Sequence, residues 1–136
     1  MRIVSWFSCG AASAVATKLA IAKYGKENMV IARCIVREEH SDNDRFARDC
    51  EKWFGMEITN LINEKYDGSI YNVFEKRRYI SGIGGAPCTM ELKKAIRIEF
   101  QKPTDKHVFG YCAEEQDRWD SFLDANNIDA VAPLIE

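Results

Sequence analysis

The stretch SWFSCGAASAVATKLA, Ser5–Ala20, decides the fold. It closes an apolar, β-rich segment (Arg2–Phe7), passes through small residues around one glycine, and enters a helical pattern over Ser13–Tyr24. Val15, Leu19 and Ala22 recur there at helical spacing, and Gly25 ends the run. A strand, a short glycine turn and a helix make the opening unit of a parallel α/β sheet. In that unit the amides at the helix start and the helix dipole favour an anion. Gly10 can take a positive φ and admit a ligand to the backbone. Ser8 and Ser13 offer hydroxyls, and Ser13 can cap the helix. A purely structural tight turn would have the same composition, because short glycine patterns are weak evidence alone.

The alternation continues outward. Met29–Val36 reads as a second buried strand, Asn43–Phe54 as a helix facing inward through Phe46, Cys50, Trp53 and Phe54, and Met56–Ile62 as a third strand. Ile70–Tyr79 and Thr89–Phe100 read as helices, the latter with Leu92, Ile96 and Phe100 inward, and Ser81–Pro87 between them as a glycine-rich loop and candidate lid. Lys106–Tyr111, Ala113–Ala125 and Ile128–Ile135 complete a strand, a helix and a last strand. The expectation is one domain over residues 1–136: a doubly wound, mostly parallel five-stranded sheet with helices on both faces. Ligands of such sheets sit beyond the carboxyl ends of the strands, so the loops after the strands carry the candidate site.

Composition bounds the function. A net charge of −2 argues against a general nucleic-acid coat, and no apolar run approaches the roughly 18 residues of a membrane span. Five cysteines stand singly with no CxxC pair, which disfavours a local zinc or iron–sulfur cage and suits reduced cytoplasmic thiols. Two histidines do not suggest a histidine metal site, and His107, within a strand pattern, reads as structural.

The first loop is neither GxxxxGK[ST] nor GxGxxG. It resembles the PP-loop, SGGxDS, of the ATP pyrophosphatases and the phosphoadenosine-phosphosulfate (PAPS) reductase family. Ser8, Gly10 and Ser13 match that pattern; Cys9 replaces a glycine and Ala12 the aspartate, with Ala11 between. Three later segments follow in the family's order. EHSDNDRF (Glu39–Phe46) is similar to the acidic loop near the adenosine in short, many of them phage-borne, members, where Glu39, Asp42 and Asn43 would contact the nucleoside. Asp42 or Asn43 could equally be a helix cap. CTMELK (Cys88–Lys93) resembles a Cys-x-x-x-x-Lys segment whose lysine approaches phosphates; Lys93 and Arg97 would form a cationic clamp, or simply a solvated charged face. Phe109–Arg118 looks like a G-x-R-x-x-E-S segment, in which Gly110 and Glu115 match, Arg118 supplies a nearby arginine, and Cys112 and Gln116 depart. Glu115 and Arg118 could also be only a surface pair.

The resemblance implies an adenine nucleotide, ATP or a PAPS-type sulfated nucleotide, with Lys93 and Arg118 as candidate catalytic cations. Magnesium would be held by Asp42, Glu39 or the phosphates themselves, and no iron–sulfur cluster is implied. The reductases' C-terminal cysteine motif has no counterpart in VAPLIE. Three readings stay open: a nucleotide-cleaving or transferring enzyme, a non-catalytic nucleotide binder or sequestering protein, and a reductase domain lacking its cysteine-bearing tail. A homodimer or a partner subunit is compatible with the family.

Overall fold

In a computed structural model describing residues 2–39, 41–77 and 90–135, strand follows helix almost throughout. The strands are β1 (Ile3–Trp6), β2 (Met29–Cys34), β3 (Ile58–Leu61), β4 (Lys106–Val108) and β5 (Asp129–Val131). The helices are α1 (Ala11–Tyr24), α2 (Asn43–Phe54), α3 (Ile70–Arg77), α4 (Ala95–Phe100) and α5 (Gln116–Ala125). All four strand pairings are parallel, in the order β3-β2-β1-β4-β5. The order runs outward from β1 in both directions, so the topological switch point lies between β1 and β4.

Alternation along β1 divides the core. Ile3 packs with Ala16 and Ala20 of α1, Phe7 packs with Ala14, and Ser5 Oγ bonds Thr17 Oγ1 at 2.7 Å. Ala47, Cys50 and Phe54 of α2 join the same face through Ile31 and Ile58. On the other face Trp6 meets Phe100 of α4 edge-on at 6.0 Å, and Phe109 after β4 packs on Trp119 and Phe122 of α5. Helices therefore cover both faces, and the fold is doubly wound α/β. Arg2 ties the start of the chain to the α4–β4 connection, through Asp105 at 2.6 Å and the Phe100 carbonyl at 3.0 Å.

Three local expectations change. The buried face of α1 is Ser13, Ala14, Ala16, Thr17 and Ala20, whereas Val15 and Leu19 are exposed. Small side chains let this helix approach the sheet closely, and that outweighs burying its larger ones. In α2, Ala47 is buried and Trp53 is half exposed, its ring beneath the Lys18 ammonium at 5.3 Å. The expected helix over Thr89–Phe100 begins, among the described residues, as a π-helical turn at Met90–Lys94 before α4. That wider turn rotates the face Arg97 presents, and Arg97 is buried rather than solvated. The Ser81–Pro87 loop and Cys88 lie outside the described residues.

Candidate functional site

Beyond the carboxyl ends of β1, β2 and β4 lies a cavity of about 500 Å³. Trp6, Phe7, Ser8 and Cys9 continue β1 into it, Arg33 and Cys34 end β2, and Phe109 and Gly110 follow β4. The π-helical turn and α4 contribute Lys93, Lys94 and Arg97, and the last connection contributes Tyr111, Glu115, Arg118 and Phe122. A shallower cavity of about 460 Å³ adjoins it across Lys94, Tyr111, Arg118 and Phe122.

The first loop is tied internally. The Ser8 N–H and hydroxyl each donate to Ser13 Oγ at 3.1 Å, and the Ser13 hydroxyl donates to the Gly10 carbonyl at 3.1 Å. Gly10 caps α1, so Ser13 sits within the first turn and does not cap it. Gly10 has φ −106°; the left-handed residue is Cys9, at φ 61°. A non-glycine residue in that region costs about 1 kcal/mol. Ser8 and Cys9 line the cavity, whereas Gly10, Ala11, Ala12 and Ser13 are not among its lining residues.

Gly110 explains how the two ends of the site meet. A Cβ there would fall 2.6 Å from Ser13 Cα and 2.7 Å from Ser13 N. The backbone after β4 thus packs directly on the first turn of α1, at the switch point.

Charge is concentrated in the cavity against the trend of the chain. Five cations, Arg33, Lys93, Lys94, Arg97 and Arg118, line it with two carboxylates, Glu39 and Glu115, although the chain carries −2 overall. Most of the cations are matched locally. Lys93 Nζ lies 3.0 Å from Glu39, Arg118 lies 2.6 Å from Glu115, and the buried Arg33 lies 3.0 Å from Asp44.

Arg97 is different. It is 6% exposed. Its guanidinium donates to two neutral oxygens, Gln101 Oε1 at 3.3 Å and Asn126 Oδ1 at 3.2 Å, and sits 5.4 Å from the Phe122 ring centre. Among the described residues no carboxylate pairs with it. Burial lowers its pKa, the mark of a cation held at a cost in free energy.

The acidic loop divides its work. Glu38 accepts the Ser69 hydroxyl at 2.8 Å and the Ile70 N–H at 2.5 Å, which caps α3. Glu39 faces the cavity and also accepts from Asn43 Nδ2 at 3.2 Å. Asp42 holds Arg45 through both carboxylate oxygens at 2.6 Å; neither Asp42 nor Asn43 lines the cavity. With Asp42 and Glu39 committed to cations, and no cluster of three His, Cys, Asp or Glu side chains suited to a metal among the described residues, the described donor set does not fit a protein-held magnesium ion.

No family model matches this sequence, and no curated protein matches it. Among the described residues no helix is long and apolar enough to cross a membrane.

Several lining residues match no motif position, namely Trp6, Lys94, Phe109, Tyr111 and Phe122. Arg33 had a signal, an arginine inside the otherwise apolar run MVIARCIV. Cys34 ends the same strand, and burial pushes its thiol up to about 11 against the opposing pull of Lys93 and Arg97. Relative to the ordinary value of 9.0, that leaves ~100-fold less thiolate. Iodoacetamide at pH 8 is therefore expected to alkylate Cys34 about 100-fold more slowly than an exposed cysteine, as followed by peptide mass spectrometry. A rate equal to that of a free cysteine would show the thiol to be unburied.

Proposed function

We propose that this chain is a PP-loop, PAPS reductase-like protein that binds an adenine nucleotide, ATP or a sulfated adenosine nucleotide, and acts at its phosphate or sulfate end. The observation that carries the reading is Arg97, a buried cation on the wall of the switch-point cavity whose partners among the described residues are neutral. A cation kept out of water without a counter-charge gains most from an anionic ligand. Trp6, Phe109, Tyr111 and Phe122 supply aromatic surface for a planar base in the same cavity. Cys9 lends further support, since it occupies a glycine place of the PP-loop pattern and adopts the left-handed conformation that glycine favours.

On this reading the anion binds Arg97, while Lys93 and Arg118 neutralise charge as it develops. Each of those two is already paired with a carboxylate, so an entering phosphate must share it with Glu39 or Glu115. That pairing, with Ala12 in place of the loop aspartate, favours a second reading in which the protein binds the nucleotide without turning it over.

Calorimetry with ATP, ADP, adenosine 3′,5′-bisphosphate, PAPS and adenosine tests the first point. Micromolar binding of the phosphorylated species, with adenosine at least 10-fold weaker, is expected. Failure of every adenine nucleotide to bind would reject both readings. Chromatography of the same mixtures separates them, because AMP, pyrophosphate, sulfite or the bisphosphate appears only if the site is catalytic.

A further inference from the structure

Behind the cavity wall lies a side chain that neither reading uses. His107, at the centre of β4, is 1% exposed. Its ring lies nearly parallel to that of Trp6, with centroids 6.3 Å apart and 10° between planes, and to that of Phe109, at 6.2 Å and 20°. Both of those rings line the cavity. The Trp6 indole N–H donates to His107 Nδ1 at 3.0 Å. An indole nitrogen can only donate, so Nδ1 must carry a lone pair and the imidazole is the neutral form protonated at Nε2.

We propose that His107 is a positioning residue: its neutral ring holds the Trp6 and Phe109 walls of the cavity in place, and protonation at Nδ1 releases Trp6 and loosens the ligand site. A proton at Nδ1 would set N–H against N–H and remove the acceptor from Trp6. The charged groups around the ring oppose one another. Asp105 before β4 and Asp129 on β5 favour the imidazolium, whereas Arg97 on α4 and Arg2 before β1 disfavour it. Burial is the largest influence, and it holds the pKa below the ordinary imidazole value. The sign follows. Above the ordinary value the ring is neutral folded or unfolded, and the wall is intact. As pH falls below that value the unfolded chain takes up a proton that the folded ring resists, so stability declines toward the folded pKa, and the Trp6 contact is lost as the folded ring itself takes up the proton there.

That the cavity binds a nucleotide is the reading proposed above; the ring geometry does not depend on it, and the two are tested separately. Each tryptophan gives one indole signal in a ¹⁵N–¹H correlation spectrum, and the ligand-free protein can be followed from pH 8 to pH 5. The Trp6 signal, assigned by its loss in Trp6→Phe, is expected to titrate with a midpoint below about 6.5, while those of Trp53 and Trp119 stay in place. In His107→Asn, whose Oδ1 can replace the acceptor without titrating, the Trp6 signal is expected to remain fixed. A Trp6 signal that does not move, that moves equally in His107→Asn, or that collapses together with the other two overturns the proposal. Should His107→Asn fail to fold, the imidazole ¹⁵N shifts of the unaltered protein at pH 8 decide, since a proton on Nδ1 overturns it and a proton on Nε2 supports it. ATP affinity measured over the same range is expected to fall at least threefold along the Trp6 titration. Affinity flat in pH while Trp6 titrates overturns the link to the site, and absence of ATP binding at every pH rejects the nucleotide reading while the spectra still judge the His107–Trp6 contact.

Discussion

Replacing Arg97 with methionine is expected to weaken ATP binding by about 10- to 100-fold while making the free protein more stable. The two effects share one cause. Hydrogen bonds to a charged group contribute roughly 1.5–3 kcal/mol, and each 1.4 kcal/mol is about tenfold in affinity. Without ligand the same guanidinium is buried against Gln101, Asn126 and the Phe122 ring, with no carboxylate among the described residues to offset its desolvation. Methionine keeps an unbranched apolar stem over Phe122 and removes the charge, a change that is often neutral or stabilising by about 1 kcal/mol or more for buried ions. Asn126 keeps its own bond to the Phe122 carbonyl at 2.9 Å, so the end of α5 stays tied. Calorimetry reads the first effect and the urea midpoint the second. Unchanged ATP affinity would show that Arg97 holds no anion. A clear loss of stability would show instead that its bonds to Gln101 and Asn126 outweigh the cost of burying it, and that its place in the fold is structural.

Much of this architecture is legible in the sequence. The strand–helix alternation and the stops at Gly25 and Gly55 rest on local periodicity and turn chemistry, the sheet follows from them, and a cavity beyond the strand ends follows from the sheet. What periodicity could not show is which face of α1 is buried, because the larger residues, Val15 and Leu19, point outward and a stripe of small ones faces the sheet. Nor does a 3.6-residue period foresee the π-helical turn at Met90–Lys94. Reading Lys93 and Arg97 as equivalent members of a clamp therefore misses the difference that matters: one is half exposed and paired with Glu39, the other buried and bonded, among the described residues, to neutral oxygens. The aromatic walls were illegible for another reason. Trp6, Phe109 and Phe122 are distant in sequence and ordinary as core residues, and only the switch between β1 and β4 makes them neighbours in one cavity.

Gly110 on the cavity wall and Gly10 in the first loop should respond unequally to alanine, and the reason lies in what each one faces. At Gly110 a Cβ would stand 2.6 Å and 2.7 Å from the Cα and N of Ser13, and 3.1 Å from the Ala12 carbonyl carbon. All three are main-chain atoms, so no rotamer change relieves the contact and the first turn of α1 must move away from β4. A cost of ~3 kcal/mol is expected for Gly110→Ala, which for a chain of this size lowers Tm by roughly 10 °C. ATP binding should weaken as well, because the displaced turn carries the Ser8–Ser13 bonds that hold Ser8 and Cys9 on the cavity wall. At Gly10 the added Cβ meets only Ser8 Oγ, at 3.9 Å, and φ is −106°, so Gly10→Ala should cost under about 1 kcal/mol, the difference between the two residues at a helix N-cap. Differential scanning calorimetry separates the pair. Equal loss in both variants would mean that the α1–β4 contact is not where the switch point is held together. If a phosphate does approach the loop backbone, Gly10→Ala should weaken ATP binding while leaving Tm nearly unchanged, and unaltered affinity would place the anion at Arg97 alone.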